Sequence, residues 1–208
     1  MIEMMSGSMG DGVSDAATSG ARGSVIVRVP MEDLDPRRVQ GECDALAARA
    51  LDTCRSHGWL VACAESLTGG LLADAFVRIP GASEVFLGSA VTYAVPSKAH
   101  VLGVDAGLLA REGAVHPEVA RQMARGTAAL YAASSPRYAG CVIGLSTTGV
   151  AGPGPDGDKP AGLAYIGLAL PGGTPIAREV RASGDRAQVR REVVLAVLRE
   201  LDRGLAAN

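Results

Sequence analysis

No apolar run in the sequence approaches the ~18 residues that a helix needs to cross a bilayer, so no membrane span is expected. The N-terminus lacks a basic segment followed by an apolar one, the mark of a secretory signal, and a cytoplasmic location is expected. Net charge is only −2, which gives no basic excess to attract a nucleic acid or another polyanion. Cysteine is sparse: Cys43, Cys54, Cys63 and Cys141 show no Cys-x-x-Cys spacing, and two of them lie inside apolar runs. They read as small buried hydrophobes in a reducing compartment rather than as metal ligands or disulfides. No metal and no cofactor is expected.

What remains is a chain of 208 residues, 48% hydrophobic and 20% charged, enough for one well-buried core. Residues 1–34 read as a flexible N-terminal tail or arm, rich at first in Gly, Ser, Ala and Met. Within them, Ser24 to Val29 is β-branched and fits either a short strand or an extended arm. Residues 35–208 read as a single domain. Asp35-Pro36 opens a helix whose apolar line is Val39, Cys43, Leu46, Ala47, Ala50, Leu51 and Cys54. Strands are expected at Trp59–Ala64, Val85–Tyr93, Tyr138–Thr147, Leu163–Leu170 and Ile176–Arg181. Helices are expected from Thr68 to Val77, in short pieces between Pro96 and Gly107, from His116-Pro117 onward, and from the capping box Asp185/Gln188 to the end. The early alternation of helix and strand argues for parallel pairing. The Pro171-Gly172-Gly173 turn makes the last pair antiparallel. The expected fold is α/β: a three-layer α/β/α sandwich with a mixed, mostly parallel five-stranded sheet.

Three stretches and one arginine can carry chemistry. In "ACAESLTGGLLA" an apolar run ends at Glu65-Ser66, and Thr68, Gly69 and Gly70 precede a new helix. Either Ser66 or Thr68 caps that helix, or Ser66 is a nucleophile with unpaired N–H groups nearby to hold an oxyanion. The sequence is not a G-x-S-x-G elbow, because Ala64 stands two before the serine. The second stretch, "VTYAVPSKAH", holds Tyr93 and Lys98. No His-Asp pair is evident to activate a serine; His57, His100 and His116 lie in turns or at helix starts. A lysine with a lowered pKa can do so, with a tyrosine hydroxyl relaying the proton. The alternative is a strand-end aromatic and a solvated lysine. Lys98 and Lys159 are the only lysines among 20 Lys and Arg residues, so a retained lysine invites a role that arginine cannot fill. The third stretch, "STTGVAGPGPDGDKPAG", is either a long surface loop or a glycine-lined phosphate site; it is not a P-loop. Arg186, at a helix start, is either a surface group or an anion clamp.

Taken in order, "AESLTGGLLA", "VFLGSAVTYAVPSKAHVLGV", "GAVHPEVARQMARG", "TTGVAGPGPDGDKPAGLAYI" and "GDRAQVRR" resemble the CinA C-terminal domain family, whose stand-alone members are nicotinamide mononucleotide amidohydrolases. The resemblance runs over about residues 40–203. It implies hydrolysis of the carboxamide of nicotinamide mononucleotide to nicotinate mononucleotide and ammonia. By the same resemblance Ser66, Tyr93 and Lys98 form the catalytic set. Thr68, Gly69 and Gly70 fall at the oxyanion turn, and Thr148, Gly149, Gly152 and Gly154 line the nucleotide site, with Arg186 as a further substrate contact; Glu65 either orients Lys98 or the substrate, or pairs with a neighbouring cation. The expected partner is a small-molecule nucleotide, with neither nucleic acid nor membrane, and family habit points to a homodimer. This sequence departs from the family pattern at Leu67, usually Cys, and at His116, usually Ser and a better helix cap. The short segment before the domain favours the stand-alone enzyme over the longer CinA form.

Three rivals stand beside this reading. A short-chain dehydrogenase also uses Ser, Tyr and Lys, but it places lysine four after tyrosine on one helix; here the spacing is five with Pro96 between. A non-catalytic module of the same fold would bind a nucleotide or a protein without turnover. An amidase acting on a related amide would share all the chemistry.

Overall fold

The protein is described by a computed structural model covering residues 26–28 and 35–207. The tail expected over residues 1–34 otherwise lies outside the described residues.

Helix α1 (Pro36–His57) begins where expected. The Asp35 carboxylate accepts from the Arg37 N–H, Pro36 occupies the first turn, and Gly58 closes the helix with φ 66°. Its buried residues are the seven of the predicted apolar line. Strand β2 (Leu60–Glu65) is buried along nearly its whole length, as befits a central strand covered on both faces. Then follow α2 (Leu71–Val77), β3 (Phe86–Val91), α3 (Val95–Leu102), α4 (Ala106–Glu112), α5 (Pro117–Ala132), β4 (Val142–Gly149), β5 (Leu163–Ala169), β6 (Ile176–Arg181) and α6 (Arg186–Ala206). The capping box at the head of α6 is formed by Asp185 and Gln188. His116 does cap α5, its ring nitrogen accepting from the Glu118 N–H at 3.1 Å.

The five expected strands are joined by a sixth: β1 (Ile26–Arg28) pairs in parallel with β6 at the sheet edge. This resolves the strand-or-arm alternative for its three residues. The order is β1-β6-β5-β4-β2-β3. β2 runs parallel to both β3 and β4, while β4–β5 and β5–β6 are antiparallel. One face packs on α1, α2 and α6 through Leu46, Leu51, Phe76, Val193 and Leu201, among others. The other face packs on α3, α4 and α5 through Leu102, Leu109, Val119 and Met123. Cys43, Cys54 and Cys63 are buried in the core and Cys141 is half-buried.

Helix α5 lies unusually near the sheet. At Gly144 and Gly167 a Cβ would collide with the carbonyl oxygens of Ala124 and Ala120. Close approach lets Ser146 Oγ donate to Ala120 O at 2.6 Å and Thr127 Oγ1 donate to Cys63 O at 2.9 Å. These bonds brace β2 and β4 near their carboxyl ends, where an α/β sheet presents its ligand sites. Among the described residues, no helix is long and apolar enough to cross a membrane.

Candidate active site

The turn after β2 is organised by Glu65, which is fully buried. Its carboxylate accepts from Thr68 Oγ1 (2.8 Å), Ser89 Oγ (2.9 Å) and the N–H groups of Gly70 (2.8 Å), Leu72 (3.1 Å) and Ala73 (3.0 Å). A buried carboxylate needs such compensation, and the start of α2 supplies it through N–H groups that have no partner within the helix. Two expectations are corrected by this arrangement. The helix begins at Leu71 rather than Thr68, since Gly70 adopts φ 102° and residues 66–70 form the turn. Its N-cap residue is Gly70, and the N–H groups at its start go to the Glu65 carboxylate rather than to Ser66 or Thr68, so the Glu65 side chain is turned to the helix start and is not part of the cavity lining.

Ser66 stands at the other side of the turn, 8% exposed, and lines a cavity of about 290 Å³. Lys98, fully buried on α3, places Nζ 3.0 Å from Ser66 Oγ, 2.7 Å from Thr92 O and 3.4 Å from Tyr93 O. Among the described residues, no carboxylate pairs with it. Burial alone lowers its pKa from 10.5 to about 8, because the apolar surroundings penalise the ammonium. In the neutral amine, two N–H bonds can go to the two carbonyls, leaving the lone pair for the serine proton. The pair is therefore set up for proton abstraction without a histidine.

Tyr93 is placed differently from the relay that the resemblance implied. Its side chain is exposed, and its hydroxyl meets Arg186 Nη2 at 3.0 Å; only its backbone carbonyl meets the lysine. The lysine reaches the serine directly, so no hydroxyl is interposed. Arg186 also donates from Nη1 to Gly152 O at 2.7 Å. It thus joins the Tyr93 side of the cavity mouth to the loop after β4.

That loop forms the remaining wall. Thr148, Gly149, Val150, Ala151, Gly152 and Gly154 all line the cavity, as expected for four of them. The Thr148 hydroxyl is turned outward from that role, donating to Ala114 O at 2.7 Å. This bond ties the loop to the segment Ala114–Val115, which also lines the cavity. Gly149 is needed for packing: a Cβ there would strike Ala164 and the Leu163 carbonyl.

Thr68, Gly69 and Gly70 do not reach the cavity wall, and the glycine N–H groups already have acceptors: Gly69 donates to Ser66 O (3.1 Å) and Gly70 to Glu65. Of the three residues expected to offer oxyanion donors, only Thr68 keeps an N–H without an acceptor among the described residues. Among the described residues, the backbone N–H groups of Leu67 and Thr68, directly after Ser66, have no hydrogen-bond acceptor. Leu67, the departure from the family pattern, is buried in the core and leaves this backbone intact. Arg190, inside the quoted "GDRAQVRR" but not singled out, donates from Nε to Leu67 O (2.9 Å) and from Nη2 to Thr68 O (2.6 Å). Its signal was the spacing: four residues after Arg186 it lies on the same helix face, one turn on.

Fold and site together define an α/β/α domain with a serine–lysine pair at the carboxyl ends of parallel strands, in a cleft walled by a glycine-rich loop. The chain belongs to the CinA C-terminal domain family, whose model matches residues 43–205. A CinA-like protein of Frankia casuarinae is 45% identical over 166 residues, covering 80% of this chain and 36% of that protein. One from Geobacter metallireducens is 40% identical over 187 residues, covering 89% of this chain and 42% of that protein. The chain thus spans less than half the length of these relatives. Among solved structures, the competence/damage inducible protein CihA of Agrobacterium tumefaciens superposes with a TM-score of 0.70 at 32% identity, over 79% of this chain and 96% of that one. A CinA superfamily protein of Klebsiella pneumoniae gives 0.72 at 28% identity, over 80% and 99%.

Proposed function

We propose that the chain is an amidohydrolase that converts nicotinamide mononucleotide to nicotinate mononucleotide and ammonia. The observation that carries this reading is the buried Lys98 Nζ, 3.0 Å from Ser66 Oγ and with a pKa lowered to about 8, in a cleft walled by a glycine-rich loop. Ser66 Oγ attacks the carboxamide carbon as neutral Lys98 takes its proton. The oxyanion of the tetrahedral intermediate is met by backbone N–H groups of the turn. As the intermediate collapses, the C–N bond breaks and the leaving nitrogen receives the proton from Lys98, departing as ammonia. A water molecule, deprotonated by Lys98, then attacks the acyl carbon, and Ser66 leaves with that proton. Tyr93 and Arg186 act at the mouth of the cleft, where the guanidinium suits the phosphate of a nucleotide.

The test is ammonia release from nicotinamide mononucleotide, with nicotinamide and nicotinamide riboside as controls, by wild type and Ser66→Ala. Release by wild type, lost in the variant, is expected. Equal rates from both proteins refute the nucleophile assignment, and binding of the nucleotide without turnover by wild type establishes a binding module instead.

A further inference from the structure

We infer that Arg190, on α6, is a positioning residue that holds the turn whose Leu67 N–H, directly after Ser66 and at the cavity wall, meets the oxyanion. The inference rests on the amidohydrolase reading for its chemical meaning, although the geometry behind it belongs to the turn alone.

In a trans peptide the C=O and the following N–H point in opposite directions across one rigid plane. Fixing the carbonyl therefore fixes the donor. The Leu67 N–H shares its plane with Ser66 O, which is held by the Gly69 N–H at 3.1 Å. The Thr68 N–H shares its plane with Leu67 O, which is held by Arg190 Nε at 2.9 Å. The second arm of the same guanidinium holds Thr68 O at 2.6 Å, and the plane of that peptide carries the Gly69 N–H that holds Ser66 O, so the arginine reaches the Leu67 N–H through two linked peptides. The two N–H groups without an acceptor among the described residues are thus the two whose own carbonyls are pinned from behind.

Charge adds to placement. A guanidinium bonded to a carbonyl oxygen draws electron density through the peptide and strengthens its N–H as a donor. Arginine suits this task, since its fork holds two neighbouring carbonyls and it never loses its proton. Gly69, beside the guanidinium, takes φ +55°, the left-handed turn conformation that glycine adopts without strain. Glu65 gathers the N–H groups of Gly70, Leu72 and Ala73 on its own side and Gly69 donates to Ser66 O, which leaves the N–H groups of Leu67 and Thr68 beside Ser66.

Removing a whole oxyanion donor costs roughly 100- to 1000-fold in rate; loosening one should cost about 10- to 100-fold. Arg190→Gln and Arg190→Lys are compared with wild type by three measurements. First, kcat for nicotinamide mononucleotide should fall about 10- to 100-fold with KM changed less than about twofold. Second, the aldehyde analogue of the substrate, which forms a hemiacetal with Ser66, should lose affinity in step with kcat/KM. Third, the backbone amide NMR resonances of Leu67 and Thr68 should shift or broaden in both variants without any ligand, while distant amides stay unchanged. A rise in KM with kcat intact overturns the positioning role, as do unmoved Leu67 and Thr68 resonances. If wild type releases no ammonia, the amidohydrolase reading fails separately, and the amide resonances alone decide whether Arg190 orders these peptides.

Discussion

Lowering the pH from about 9 to about 7 should slow turnover roughly tenfold, because the neutral fraction of a base with a pKa near 8 falls from about nine-tenths to about one-tenth. The proposed base is Lys98, whose pKa burial lowers to about 8. The perturbation that isolates it is Lys98→Met, which keeps a long side chain and removes the titration; Lys98→Arg keeps the charge and removes the base. Both should be nearly inactive at every pH. The same group leaves a signature in stability. Its pKa in the folded protein lies below the unfolded value of 10.5, so the unfolded chain binds more protons between about pH 8 and pH 10.5 and stability rises with pH across that window. At pH 7, where both states are protonated, nearly the full penalty for the buried ammonium applies, on the order of 3 kcal/mol. From about pH 7 to about pH 9 wild type should gain roughly 1.4 kcal/mol relative to Lys98→Met, the other titrating groups cancelling between the two proteins. Ammonia release across the pH range and urea unfolding at matched pH values measure both effects. A flat rate profile, a midpoint near 10.5, or a stability difference independent of pH would refute the assignment of Lys98 as a neutral base.

Two further substitutions probe the surroundings. Glu65→Gln keeps the shape but gives up the charge that gathers five donors; it should destabilise the fold by about 1.5–3 kcal/mol, read as a lower urea midpoint at unchanged slope. An unchanged midpoint would show that the carboxylate's charge does not hold the start of α2. Arg186→Gln removes the bonds to Gly152 O and the Tyr93 hydroxyl; KM for the nucleotide should rise at least tenfold, with a smaller effect for nicotinamide riboside, and equal effects on both would take the arginine off the phosphate.

The layers, the strands and the caps of α1, α5 and α6 were legible because each rests on local periodicity or on a local cap. The apolar line of α1 and the box at Asp185 are such signals. The serine and lysine were legible as residue types, through the scarcity of lysine and the turn chemistry around Ser66. What escaped was direction. Glu65 sits next to Ser66 in sequence, but it is the last residue of β2 and Ser66 the first of the turn, and its side chain enters the helix start instead. Tyr93 follows β3 by two residues, yet its hydroxyl leaves toward Arg186 while its carbonyl stays with Lys98. Arg190 meets the turn across 122 residues of chain, a distance over which one sequence carries no pairing information. The unpaired N–H of Leu67 escaped for another reason: any residue has an N–H, and only tertiary bonds show which ones remain without an acceptor.

Glu65 also has a bearing on how a charged molecule can lie in the cleft. A helix start ordinarily attracts solvent anions, but here the resident carboxylate already neutralises that end and holds the N–H groups of Gly70, Leu72 and Ala73. An incoming anion therefore finds those three N–H groups already taken, while the exposed guanidinium of Arg186 lines the cavity. On the proposed amidohydrolase reading, a ligand with a neutral amide at one end and a phosphate at the other is drawn phosphate-first to that arginine and not to the helix start, which leaves the amide end for Ser66.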